Sequence, residues 1–148
     1  MPFESEFRFK HELIEEYDDG ECIFEEGSGD RDLYIVQSGG VLIRKNTSAG
    51  PLDIVEFGKG DFFGEISLLQ SFPRYAGAFA VGKTRLLILK PAGFLLKIRR
   101  DPTFAFEMLQ QMSHRVKVSN DRILAIIARY KLPQAEVQAI FSELGGDT

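Results

Sequence analysis

Along the chain, the spacing of apolar residues changes twice, from helical to strand-like and back to helical. Over about Glu4–Tyr17, Phe7, Leu13, Ile14 and Tyr17 fall near helical spacing. Ser5 can cap that run and "DDG" ends it, so an N-terminal helix is expected there. From Cys22 to Pro91 short β-rich runs follow one another: "CIFEEG", "DLYIVQSG", "GVLIRK", "LDIVEFGKG", "AGAFAV" and "RLLILK". Glycines separate them, which predicts an antiparallel barrel or jelly roll. "QSGGV" reads as a tight hairpin turn and "NTSAGPLD" as an exposed hairpin loop. Phe57, Phe62 and Phe63 are expected in the core, and Cys22 as a buried strand thiol.

After Pro91 the period returns to that of a helix. "AGFLLKIRR" predicts a short one, with Arg99 and Arg100 on a solvated face together with Arg115 further on. A long helix should then start at Asp101 as cap, with Pro102 in its first turn and Phe104 and Phe106 packed inward. Within it Leu109, Met112, Val116, Ser119, Ile123, Ile126 and Tyr130 alternate three and four apart, the spacing of a heptad seam. That seam outruns what one small barrel can cover, so a partner helix from a second copy, hence a homodimer through the 109–130 helix, is expected. "LPQAEVQAIFSELGGDT" predicts a last short helix. The fold class is therefore mainly β with flanking helices: an antiparallel β-roll, an N-terminal helix and a long C-terminal helix. The domain organisation read from this is one domain over 1–131, including the long helix, and a short helical tail over 132–148.

Composition narrows the chemistry. The 148 residues, 44% hydrophobic and 27% charged, are those of one globular domain. A net charge of −4 argues against a broad grip on nucleic acid, and no direct nucleic-acid partner is expected. Cys22 is the only cysteine, which rules out an internal disulfide and fits a cytoplasmic location. The two histidines, His11 and His114, lie far apart in helix-like segments, so neither a metal site nor a catalytic residue stands out, and no enzyme is expected. No run approaches the ~18 apolar residues of a membrane span. Acids scattered through the first residues do not make a signal peptide.

One segment carries charge among small and apolar residues: "GEISLLQSFPRYAGAFA", with Glu65 and, nine positions later, Arg74. Buried charges need partners; these two could satisfy each other or hold a small anion. If "EISLLQ" is a short helix, its first amides can attract an anion. Arg74 would add a planar fork for two phosphate oxygens, and Ala76 and Gly77 would leave room. Glu65 is an acceptor suited to a sugar hydroxyl. Together these describe a nucleotide monophosphate site.

The Gly-punctuated strands, "GKGDFFGEISLL", "PRYAGAFAV" and the helices that follow resemble the cyclic nucleotide-binding domain over about Tyr17–Arg129. That family includes the bacterial catabolite activator, regulatory subunits of cyclic-AMP-dependent kinase and cyclic-nucleotide-gated channels. The resemblance makes this segment the phosphate-binding cassette. It implies backbone contacts from Gly64, Ile66 and Ser67, a ribose contact from Glu65 and the cyclic phosphate on Arg74. Tyr75 and Ala76 would line the site, and Arg122 and Ile123 would serve as a lid over the base. It also implies a sensor that binds a cyclic nucleotide, cAMP first, and relays binding through its C-terminal helices, with no catalytic cofactor. Where relatives often read Arg-Ser/Thr-Ala, this chain reads "RYAG". Tyr75 is thus expected either to stack on a purine or to fill part of the pocket. The second outcome would leave a ligand-free interaction or dimerisation domain of the same fold.

Overall fold

The computed structural model describes residues 12–145. Six strands and four helices follow one another in these residues. They are β1 (Glu12–Tyr17), β2 (Cys22–Phe24), β3 (Leu33–Thr47), β4 (Gly50–Phe57), β5 (Phe62–Phe63), α1 (Glu65–Gln70), β6 (Gly77–Leu89), α2 (Pro91–Arg100), α3 (Pro102–Arg129) and α4 (Gln134–Leu144). The chain divides into two compact units, and the division falls inside α3, between Ala105 and Phe106.

The first unit is the antiparallel β-roll that the sequence pattern predicts. Its main path runs β1-β6-β3-β4, with β2 also on β6 and β5 on β3. Two long strands organise it: β6 pairs with β1, β2 and β3, and β3 pairs with β4, β5 and β6. Valine, isoleucine and leucine recur in both, joined by Tyr34 in β3 and Phe79 in β6, and such side chains suit a pleated surface packed on its neighbours. Tyr34, Val36, Val41, Phe63, Ala78, Leu86 and Ile88 form the core, and Tyr17, Ile23, Phe24, Ile43 and Phe57 pack against it. Phe62 and Phe63 are buried, as their place in the sequence suggests.

The "QSGGV" turn is an irregularity inside β3 rather than a gap between two strands. The β3–β6 register slips between Val36 and Ser38 and again between Ser38 and Gly40. Gly39 turns the chain there at φ 81°. A Cβ on Gly39 would lie 2.3 Å from the Lys83 carbonyl oxygen and 2.7 Å from the Thr84 Cα. The buried Thr84 hydroxyl stitches the slip, donating to the Gly40 carbonyl at 2.9 Å and lying 3.3 Å from the Gly40 amide.

Further expectations change. The helix expected over Glu4–Tyr17 is a strand from Glu12 onward; Glu4–His11 lie outside the described residues. The spacing of Leu13, Ile14 and Tyr17 suits either form, and a full ladder from Glu12↔Leu89 to Tyr17↔Thr84 decides for the strand. Cys22 is exposed, because Ile23 and Phe24 take the contacts with the core in β2. Phe104 meets Phe94 edge-on at 6.5 Å, but Phe106 is exposed. Two helical positions turn a side chain by about 200°, so the two rings cannot share a face.

The C-terminal helices form as expected. The Asp101 carboxylate accepts from the Phe104 amide at 3.2 Å, capping α3. In the second unit Leu109, Val116, Ile123, Ile126 and Tyr130 of the heptad seam are exposed. Among the described residues no helix is long and apolar enough to cross a membrane.

Gly39→Ala should lower stability by roughly 3 kcal/mol, since it adds both a left-handed strain and a backbone collision at the slip. Urea unfolding followed by circular dichroism reads this as a lower midpoint at unchanged slope.

Candidate functional site

The segment between β5 and β6 turns sharply twice. Gly64 enters α1 at φ 88° and Ser71 leaves it at φ 52°. A Cβ on Gly64 would stand 2.8 Å from Arg74 Nη1 and 2.9 Å from the Asp32 carbonyl oxygen. Only glycine fits a left-handed position so close to another group. The run then extends, and its side chains alternate: Arg74 and Ala76 are buried while Tyr75 is 49% exposed.

The Arg74 guanidinium lies inside the first unit, its side chain 1% exposed. Below it are aromatic faces, with Cζ 4.2 Å from the Phe24 ring centroid and 5.6 Å from that of Tyr34. Tyr34 in turn stacks on Phe63 at 5.0 Å. Such rings attract a cation while excluding water. Around the edge are oxygens. Nε donates to Asp30 Oδ2 at 3.1 Å and Nη2 to Asp30 Oδ1. Nη2 also donates to the Asp32 carbonyl at 2.7 Å, and Nη1 to the Gly64 carbonyl at 2.9 Å. These contacts engage four of the five guanidinium N–H groups.

The loop over 27–32 grips the cassette at both ends. Its backbone pairs with Arg74 in both directions: the Arg74 amide donates to the Ser28 carbonyl at 2.9 Å, and the Gly27 amide to the Arg74 carbonyl at 2.7 Å. Arg31 Nε and Nη2 donate to the Ser67 and Leu68 carbonyls at 3.2 and 3.0 Å, in the later part of α1, where a cation suits the helix dipole. Burial, and next the Asp30 charge, push the Tyr34 hydroxyl well above the ordinary tyrosine range, so it remains a neutral O–H beside the guanidinium. Burial also raises the Asp32 carboxyl, with Lys90 opposing the rise.

The expected site residues are thus brought together in the first unit: Gly64 and Arg74 in direct contact, Glu65, Ile66 and Ser67 on the short helix, and Ala76 buried beside the arginine. Arg122 and Ile123 belong to the second unit, where both are exposed. Tyr75 does not point inward. The Lys45 ammonium sits 4.3 Å over its ring, donates to the Tyr75 carbonyl at 2.8 Å and lies 3.4 Å from Glu26. The sequence reading missed Asp30, the carboxylate on Arg74. It is 44 positions away, and no local spacing announces such a contact. The charged "GDRD" between β2 and β3 was its one visible sign. Among the described residues no cluster of His, Cys, Asp and Glu could hold a metal ion.

The family model for the cyclic nucleotide-binding domain matches residues 14–101. The chain is 36% identical over 102 residues to the cyclic AMP receptor protein of Thermus thermophilus, covering 68% of this chain and 47% of that protein. It is 35% identical over 66 residues to the cAMP-dependent protein kinase type II regulatory subunit of Drosophila melanogaster, covering 45% of this chain and 18% of that protein. It superposes on the crystal structure of the Thermus thermophilus catabolite activator protein with a TM-score of 0.69 at 30% identity, covering 85% of this chain and 60% of that one. The chain therefore spans about half the length, or less, of these curated relatives. The matched stretch runs from β1 to the end of α2 and holds the whole Arg74 cassette, and the chain belongs to the cyclic nucleotide-binding domain family.

Proposed function

We propose that this chain is a sensor module that binds a cyclic nucleotide monophosphate, cAMP first, in the roll of its first unit. The observation that carries the reading is the buried Arg74 guanidinium, fixed on an aromatic floor beside the start of α1. Its planar fork suits two oxygens of a cyclic phosphate. Gly64, Ile66 and Ser67 would add backbone contacts, Glu65 would accept from the ribose hydroxyl, and the small Ala76 leaves space. The names of the Thermus and Drosophila relatives, both of which refer to cyclic AMP, support adenine as the first base to test. The outward Tyr75, held by Lys45, supports a binding-competent roll over a ligand-free one, since a phenol filling the pocket would have to lie with Arg74 and Ala76 on the inner side.

Binding would be relayed through β6, the strand that begins three residues after Arg74 and leads directly into α2. A ligand moves such an equilibrium only through its different affinities for the two states. The exposed apolar seam of α3 supports a second copy of the chain as the partner of that helix, joined through residues 109–130.

Calorimetry with cAMP and cGMP tests the first part. Binding should be measurable with cAMP, and Arg74→Ala should weaken it at least about tenfold while the circular dichroism spectrum is kept. No heat with either nucleotide would leave the interaction-domain alternative. Light scattering tests the second part: the mass should be twice the 16.7 kDa of one chain, and Val116→Glu with Ile123→Glu should return it to one.

A further inference from the structure

The fork of Arg74 is already matched by a carboxylate of the chain itself. Asp30 accepts from both Nε and Nη2, the two-point arrangement that a phosphate would adopt on the same group. The two partners differ in exposure. The arginine side chain is 1% exposed and that of Asp30 is 39% exposed, so the carboxylate is the half of the pair that solvent reaches. Nor is Asp30 on a loose tether. The loop that carries it is pinned on one side by the backbone pairing of Gly27 and Ser28 with Arg74, and on the other by Arg31 on the Ser67 and Leu68 carbonyls. The remaining acceptors on the guanidinium are backbone carbonyls of Asp32 and Gly64. Among the described residues Asp30 is therefore the one side-chain acceptor on Arg74, and the one that can leave by rotating about its own bonds.

We propose that Asp30 is an internal competitor that sets the affinity of the site: the carboxylate occupies the donors a ligand's phosphate needs, and binding exchanges one anion for the other on Arg74. This rests on the reading above that Arg74 receives the phosphate. The exchange keeps the buried guanidinium compensated throughout, because one two-point anion leaves as another arrives. The affinity observed is then a difference between two anions on the same cation. It should rise when the internal one is weakened.

Asp30→Asn keeps size and shape but removes the charge. Two measurements on the full chain test the proposal. In calorimetry with cAMP, Asp30→Asn should bind about tenfold tighter than the parent, the gain expected when a charged competitor becomes a neutral one. In thermal melts without nucleotide, Asp30→Asn should melt below the parent. Inorganic phosphate should raise its melting temperature more than it raises the parent's, with chloride at equal ionic strength as control. Asp30→Glu, which keeps the charge, should stay near the parent in both, and Asp30→Ser replaces Asn if that variant does not fold.

Equal or weaker cAMP binding by Asp30→Asn would overturn the proposal and leave Asp30 as a residue that positions Arg74. So would a phosphate response no larger than the parent's. If no cyclic nucleotide binds to either protein but phosphate selectively stabilises Asp30→Asn, the competitor stands and the cyclic nucleotide reading falls.

Discussion

A guanidinium cannot be neutralised by losing its proton inside a protein, so a buried arginine must be compensated by what surrounds it. In this chain that requirement falls on Arg74, and much of the first unit is arranged around it. Phe24 and Tyr34 supply ring faces, Asp32 and Gly64 supply carbonyls, and Asp30 supplies the countercharge. These groups come from β2, β3, the loop between them and the start of the cassette. The roll thus closes on one cation as well as on an apolar core, and the core and the site share residues. Tyr34 and Phe63 belong to both, through their stacking.

The two long strands explain how such a site is held. β3 and β6 each carry three neighbours, and the slip at Gly39 lets them stay paired while the sheet bends. The cassette hangs between β5 and β6, with its far end pulled back by the 27–32 loop. A rigid pair of strands at either side and two clamps from one loop give a short helix of six residues a definite position. It has no capping side chain at its start, and so depends on those neighbours.

Much of this could be read beforehand. The Gly-rich alternation from Cys22 to Pro91 gave the roll, the period after Pro91 gave the helices, and the Gly64–Arg74 segment pointed to the turn that holds the buried arginine. These are local signals. What escaped was set by contacts between distant parts of the chain. Glu12–Tyr17 has an apolar spacing compatible with a helix, and became a strand because β6 offers a free ladder edge. Asp30 was invisible as the partner of Arg74 because the two meet only once the roll has closed. Tyr75 was ambiguous for the opposite reason. Its bulk suited either a purine stack or a plug, but the extended backbone between two inward residues sends its ring outward.

The contact at Gly64 reaches further than its own turn. With Arg74 Nη1 only 2.8 Å from where a first side-chain atom would sit, the hydrogen at position 64 and the fork at position 74 occupy complementary halves of one small volume. The dependence runs one way: a larger residue at 64 would evict the arginine, whereas with a shorter residue at 74 the glycine would still be held by its left-handed backbone and by the Asp32 carbonyl. Among descendants of this sequence the glycine should therefore outlast the arginine, and an arginine at 74 should not be found seated at the centre of the roll without a glycine at 64.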